Sequence, residues 1–283
     1  MQIATALWGF RELSMVEVLE ACEKLGIKRI EGHLHPDVPK HFRLDMKKEE
    51  LNNILELAHR KGIRFICLAT CNDFTVEKRK LEKEIKWVKD VINFAEKIGV
   101  KLVRVFAGFI KREYFDEEKL IQLKEAFEEV ASFAFPKGIS LAIENHGGIT
   151  TTVEDLERIF SVIDSLNVGL NYDPANFFYY GEDPIKALEA FKDKIIYAHL
   201  KDVKIVKGKK EYCAVGDGII NWKVLIPTLG KYYNGPVAIE YERVSDVVEG
   251  TEKSLIYLNK NSVYSYVSKS TQKAKKYQPT SLP

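Results

Sequence analysis

Four short apolar runs in this chain each end abruptly in a side chain that can ligate a metal ion. Leu141, Ala142 and Ile143 lead into Glu144, and the runs Val168–Asp173, Ile195–His199 and Pro236–Glu240 end in the residues that close them. A few consecutive apolar residues followed by polar chemistry is the pattern of a buried parallel strand. Parallel strands closed into a barrel bring their C-terminal ends to one mouth. The pattern therefore predicts that Glu144, Asp173, His199 and Glu240 converge on one metal ion. Three hard carboxylates and one imidazole favour Mn²⁺ or Mg²⁺, with Co²⁺ or Zn²⁺ as alternatives, over the thiolate-rich sites of structural zinc. Three ionised carboxylates crowded together repel one another unless a cation lies between them.

The remainder of the chain alternates in the same way. Strands are expected at Ile3–Trp8, Lys28–Leu34, Ile63–Thr70 and Val100–Ala107, and each precedes a stretch with helical apolar spacing. Gly26, Gly62 and Gly99 follow three of those helices as stop signals. Asp116 suits the N-cap of a helix running to Phe135, and Thr152 with Asp155 suits a capping box opening Val153–Ser165. Eight strand–helix units without a linker predict an α/β protein, a single (β/α)8 TIM barrel over residues 1–260. Residues 261–283 are Ser-, Lys- and Tyr-rich with no apolar period and are expected as an appended C-terminal tail. The Lys-rich connection Leu200–Asn221, with its Gly216-Asp217-Gly218, is expected as a long functional loop overhanging the mouth.

Charge and cysteine usage narrow the class further. The 43 basic and 41 acidic residues leave a formal charge of +2, which gives no electrostatic case for a nucleic-acid partner. No apolar run approaches the roughly 18 residues of a membrane span, and no leader pattern opens the chain. The expectation is a cytoplasmic protein with no membrane partner. The cysteines (Cys22, Cys67, Cys71 and Cys213) form no secreted-type framework and are expected as buried free thiols.

The motifs ENH after the fifth strand, YDPAN after the sixth, AHLKD after the seventh and AIEYE after the eighth resemble the xylose isomerase-like barrel superfamily of sugar isomerases and epimerases. Relatives in that superfamily include ketose 3-epimerases, hydroxypyruvate isomerases, inosose and dehydroshikimate dehydratases, and metal-dependent AP endonucleases. The resemblance implies that Glu144, Asp173, His199 and Glu240 are the metal ligands. It also implies that Glu144 and Glu240 act as acid and base on opposite faces of the substrate, and that the protein forms a homo-oligomer, a dimer or tetramer. A divalent ion chelated by a carbonyl and its neighbouring hydroxyl stabilises the enediolate left when the α-proton departs. Returning that proton gives epimerisation or isomerisation.

The expected function is thus a metal-dependent isomerase or epimerase of a sugar or polyol-derived small molecule, with a dehydratase of an inosose or dehydroshikimate-like substrate as the alternative. A nuclease is disfavoured. Asn176 stands where the endonucleases carry a histidine, and their Asp-x-His after the seventh strand is missing. A binding barrel without metal is a further alternative. Substrate contacts are expected from His33, His35, His146, Asn176, Lys201 and Trp8. His146 shares the strand face of Glu144, and Lys201 that of His199, by the two-residue period, and Lys201 is expected either to bind a substrate oxyanion or to pair with a carboxylate. Trp8 and Phe106 could wall a sugar face. Arg104, inside an apolar strand, needs a carboxylate partner, and His41 and His59 read as surface residues.

Overall fold

Alternate side chains of a strand face opposite ways, so each apolar run in a closed barrel sorts its residues between the helices outside and the barrel interior. In the computed structural model, which describes residues 1–261, eight parallel strands close in this way. They are β1 (Gln2–Ala6), β2 (Arg29–His33), β3 (Arg64–Ala69), β4 (Leu102–Val105), β5 (Ser140–Glu144), β6 (Val168–Tyr172), β7 (Ile195–Leu200) and β10 (Pro236–Ile239). Neighbours in sequence are neighbours in space, and β10 pairs with β1 to close the ring. Two further strands, β8 (Asp202–Val206) and β9 (Lys209–Cys213), form a separate antiparallel pair.

The sorting is visible on β5. Leu141 and Ile143 join the large apolar core between sheet and helices, whereas Ala142 belongs to a small cluster with Ala4, Ala6, Cys67, Tyr197 and Ala238. These residues sit at inward positions of five strands and are mostly small. The interior therefore has room for polar side chains one step further along each strand.

Outside lie the helices α1 (Met15–Lys24), α2 (Lys48–Arg60), α3 (Lys78–Ile98), α4 (Glu117–Ala134), α5 (Val153–Val162), α6 (Pro174–Tyr179), α7 (Pro184–Phe191), α8 (Trp222–Tyr232) and α9 (Val247–Lys260). Ser14 and Glu17 form a full capping box on α1, Asp116 caps α4, and Thr152 caps α5 through the Asp155 amide. Helix α5 ends three residues earlier than its expected limit. Among the described residues, no helix is long and apolar enough to cross a membrane. All four cysteines are free, and three are buried with Cys71 half-buried. Apart from Asn261, the expected tail falls outside the described residues.

Two expectations are corrected. The Leu200–Asn221 connection is not one long loop but the β8–β9 hairpin followed by a wrap around one carboxylate. Lys207 and Gly208 turn the hairpin, both with positive φ (50° and 77°), the signature of a two-residue type I′ turn. Asp202 then accepts backbone N–H groups from Val203, Gly216, Gly218 and Ile220 and the indole N–H of Trp222. A Cβ at Gly218 would overlap the Asp202 carboxylate, so the glycine is required by close approach. The GDG segment is thus structural.

His41 is the second correction: it is buried rather than on the surface, with Nε2 3.2 Å from the Phe10 carbonyl. Burial, then the charge of His33, pushes its pKa down to about 4 from 6.5. Because the folded value lies below the unfolded one, the unfolded chain binds more protons between these limits. Stability is therefore full above pH 6.5 and is lost as pH falls towards 4. The loss should be on the order of 3 kcal/mol in total, with about 2 kcal/mol gone by pH 5. Urea unfolding at pH 7 and pH 5 checks this: His41→Gln should flatten the difference, and an unchanged difference would place the acid sensitivity elsewhere.

Candidate active site

Every residue of the site occupies an inward strand position or its continuation just beyond the strand. Glu144 ends β5, Asp173 follows β6, His199 lies near the end of β7, and Glu240 follows β10. All four are buried, and one ligand atom from each lies within 4.8 Å of the others. His199 Nδ1 stands 3.3 Å from Glu144 Oε1 and 3.4 Å from Glu240 Oε2. The four strand-end residues predicted to converge do so.

Local sequence explains how Asp173 is aimed. In the DPAN motif Asp173 is the N-cap of α6 and Pro174 its first residue, so Oδ1 accepts the Ala175 and Asn176 amides at 2.8 and 3.1 Å. That turns Oδ2 to the centre, where it is buried without a hydrogen bond and lies 3.1 Å from Lys201 Nζ. Asn145 secures the neighbouring strand end: its amide donates to the Asp173 carbonyl (2.8 Å) and its carbonyl accepts the Asp173 N–H (2.7 Å). Asn145 was missed in the sequence although it sits in the ENH motif, because its side chain points away from the mouth.

Three cations border the carboxylates. Arg104 Nε lies 3.2 Å from Glu144 Oε2, and its guanidinium packs 4.2 Å over the Phe106 ring. Lys201, 1% exposed, places Nζ 2.7 Å from Glu240, 2.6 Å from Glu242 and 3.1 Å from Asp173 Oδ2. Burial alone would lower the Lys201 pKa, but Asp173, Glu240 and Glu242 hold it well above its usual range. His199 is likewise raised: Glu31, Glu240 and Glu144 outweigh burial. Glu144 and Glu240 stay below the ordinary carboxylate range despite burial, through Arg104 and Lys201 respectively.

Asp173 differs. Burial, followed by repulsion from Glu240 and Glu144, pushes it up to about 6 against the pull of Lys201. Charges near the centre also fail to balance. Glu31, Glu144, Asp173, Glu240 and Glu242 face only two permanent cations, Arg104 and Lys201, and a His199 that ligates metal is neutral, which leaves three negative charges uncompensated. A carboxylate oxygen without a hydrogen bond, a raised Asp173 and an excess of negative charge all fit a divalent cation held by these residues.

A cavity of about 320 Å³ opens onto Glu144 and Glu240. Trp8, Phe106 and Phe109 supply aromatic wall, and His33, His35 and His146 supply three imidazoles. Trp8 stacks on His33 with centroids 5.9 Å apart. Arg104, Glu242, Thr70 and Cys71 complete the lining. Lys201 and Asn176 stand behind this wall, Lys201 within its carboxylates and Asn176 accepting the Tyr212 hydroxyl of the β9 strand at 2.8 Å.

The residue most fully missed is Glu31. It is completely buried, with Oε2 2.7 Å from His199 Nε2. Parity could have found it, since it lies two positions before His33 on the same inward face.

With this geometry in hand, the chain is assigned to a family: it belongs to the xylose isomerase-like TIM barrel family, whose profile matches residues 19–261. It is 28% identical over 225 residues to the inosose dehydratase of Glaesserella parasuis serovar 5, covering 68% of this chain and 74% of that protein. In the inosose dehydratase of Clostridium beijerinckii the match, at 27% identity, spans 49% of that protein's length and 46% of this chain. The fold is similar to that of the probable 3-DHS dehydratase AsbF of Bacillus anthracis, with a TM-score of 0.78 at 14% identity over 92% of this chain and 99% of that one. It is also similar to the IOLI protein crystallised with a bound zinc atom, with a TM-score of 0.75 at 23% identity over 93% of this chain and 97% of that one.

Proposed function

We propose that this protein is a divalent-cation-dependent lyase that removes water from a neutral polyhydroxy ketone of the inosose kind. Glu144, Asp173, His199 and Glu240 would hold the cation, which when bound supplies Lewis acidity to a substrate carbonyl. The observation that carries the reading is the pairing of Glu144 and Glu240, two of three wall carboxylates, with three imidazoles around one cavity. Glu144 or Glu240 takes the α-proton. The electron pair left on carbon forms a double bond as the β carbon–oxygen bond breaks, and the hydroxyl leaves as water with a proton from His33, His35 or His146. An epimerase needs two carboxylates but no imidazole acid for a leaving hydroxyl.

The substrate's charge follows from the lining. Among the described residues the cavity wall carries one permanent cation, Arg104, already paired with Glu144, while Glu242 adds a further negative charge. Apart from the bound metal and the imidazole acid, a phosphate or carboxylate would find no unpaired permanent cation there. The similarity to inosose dehydratases supports the same substrate class.

The paired Glu144 and Glu240 also support a second reading, isomerisation or epimerisation, because the first proton transfer is shared. Incubating cation-loaded protein with scyllo-inosose, 3-dehydroshikimate, a free ketose and a ketose phosphate in deuterated water distinguishes the outcomes. We expect water loss from the inosose alone. Deuterium uptake by a ketose without water loss would replace the lyase by an epimerase, and turnover of the phosphate would overturn the neutral-substrate reading.

A further inference from the structure

Among the described residues, Glu31 is the one buried acid near the centre that neither the ligand set nor the substrate wall uses. It lies on β2, across the barrel interior from β7, in the layer of small inward residues beneath the mouth. Burial works against its charge, yet His199, through its charge and its hydrogen bond to Oε2, holds it well below the ordinary carboxylate range. Its two oxygens face two imidazoles: Oε2 is 2.7 Å from His199 Nε2, and Oε1 is 3.5 Å from His33 Nε2.

The orientation of the His199 ring follows from both of its nitrogens. Nδ1 faces Glu144 and Glu240, and Nε2 faces Glu31. Turning the ring over would set carbon atoms against carboxylates on both sides. We infer that Glu31 is a positioning residue for His199: it accepts the Nε2 proton and so leaves Nδ1 as the nitrogen presented to the cation. A carboxylate behind a ligating imidazole fixes its tautomer and raises its basicity, and losing such a partner typically weakens metal affinity roughly 10- to 100-fold. Oε1, turned towards His33 on the cavity wall, ties the same carboxylate to the substrate side.

This inference rests on the reading of the four residues as a cation site, and the experiment separates the two. Zinc is titrated calorimetrically into metal-free full-length wild type and Glu31→Gln, with folding checked by circular dichroism. Zinc affinity should fall roughly 10- to 100-fold in the variant. In zinc-loaded wild type labelled with ¹⁵N-histidine, His199 Nε2 should carry the proton and Nδ1 the metal. A folded variant binding zinc within about twofold of wild type would overturn the inference, as would a metal on Nε2. Wild type that binds no zinc would overturn the cation site itself, and this inference with it. Should Glu31→Gln fail to fold, the wild-type nitrogen assignment still decides.

Discussion

Replacing Lys201 by methionine should destabilise the metal-free protein by about 3–5 kcal/mol, the usual consequence of removing one partner from a buried charge cluster. Methionine nearly conserves volume, so the effect isolates the charge. Lys201 Nζ sits within 3.1 Å of carboxylate oxygens from Asp173, Glu240 and Glu242, and those of Asp173 and Glu240 are buried. Without the ammonium Asp173, which does not line the cavity, is left buried beside two other acids, whereas Glu240 on the cavity wall and Glu242, 24% exposed at its side chain, can gain water. At roughly 2–4 °C per kcal/mol for a domain of this size, the midpoint of thermal unfolding in EDTA should drop by about 10 °C or more. A divalent cation should restore part of the loss, because it supplies positive charge to the same oxygens. A drop below about 1 kcal/mol would mean that water reaches the cluster.

Lys201 also shows how far the sequence could be read. Its strand face follows from the two-residue period counted from His199, and the same period places His146 and Glu242 inward. The barrel, too, is written locally: apolar runs of strand length, helical spacing between them and glycine stops are features of neighbouring residues. What Lys201 touches is not local. Its partners come from β6 and β10, and a period assigns a face without assigning a neighbour. Of the two roles the sequence offered for Lys201, a substrate oxyanion or a carboxylate partner, the structure shows the second, with three acids around it.

Glu31 illustrates a different limit. One acidic residue inside RIEGH looks like an ordinary break in an apolar strand, and its partner His199 is 168 positions away. Arg104 announced its need for a carboxylate because a guanidinium in an apolar strand must be paired, yet only closure of the barrel identifies Glu144 as that partner. The hairpin could have been found from Lys207-Gly208 between alternating residues, but its lysine content read as a loop. His41 gave no signal at all, since its burial depends on the chain around Phe10 lying against it.

Asp173→Asn should stabilise the metal-free protein while removing its capacity for a divalent cation. Asparagine caps a helix as well as aspartate, so Oδ1 can still accept the Ala175 and Asn176 amides. What disappears is a carboxylate whose pKa burial and the neighbouring Glu240 and Glu144 raise to about 6 from 3.8. Because the folded state binds this proton more tightly than the unfolded chain, stability falls as pH rises from about 4 through 6, and the whole penalty is present at pH 7. A rise of this size corresponds to about 3 kcal/mol, reduced to about 1–2 kcal/mol by setting an amide N–H₂ opposite Lys201. Urea unfolding at pH 7 in EDTA should therefore place the variant above wild type, and excess Mn²⁺ should reverse the order by stabilising wild type alone. A variant less stable than wild type in EDTA would show that Lys201 already satisfies Asp173 and that the centre does not require a further cation. The reversal is what a site built for metal should display, because the arrangement that makes Asp173 costly when metal-free is the one that would make it a ligand.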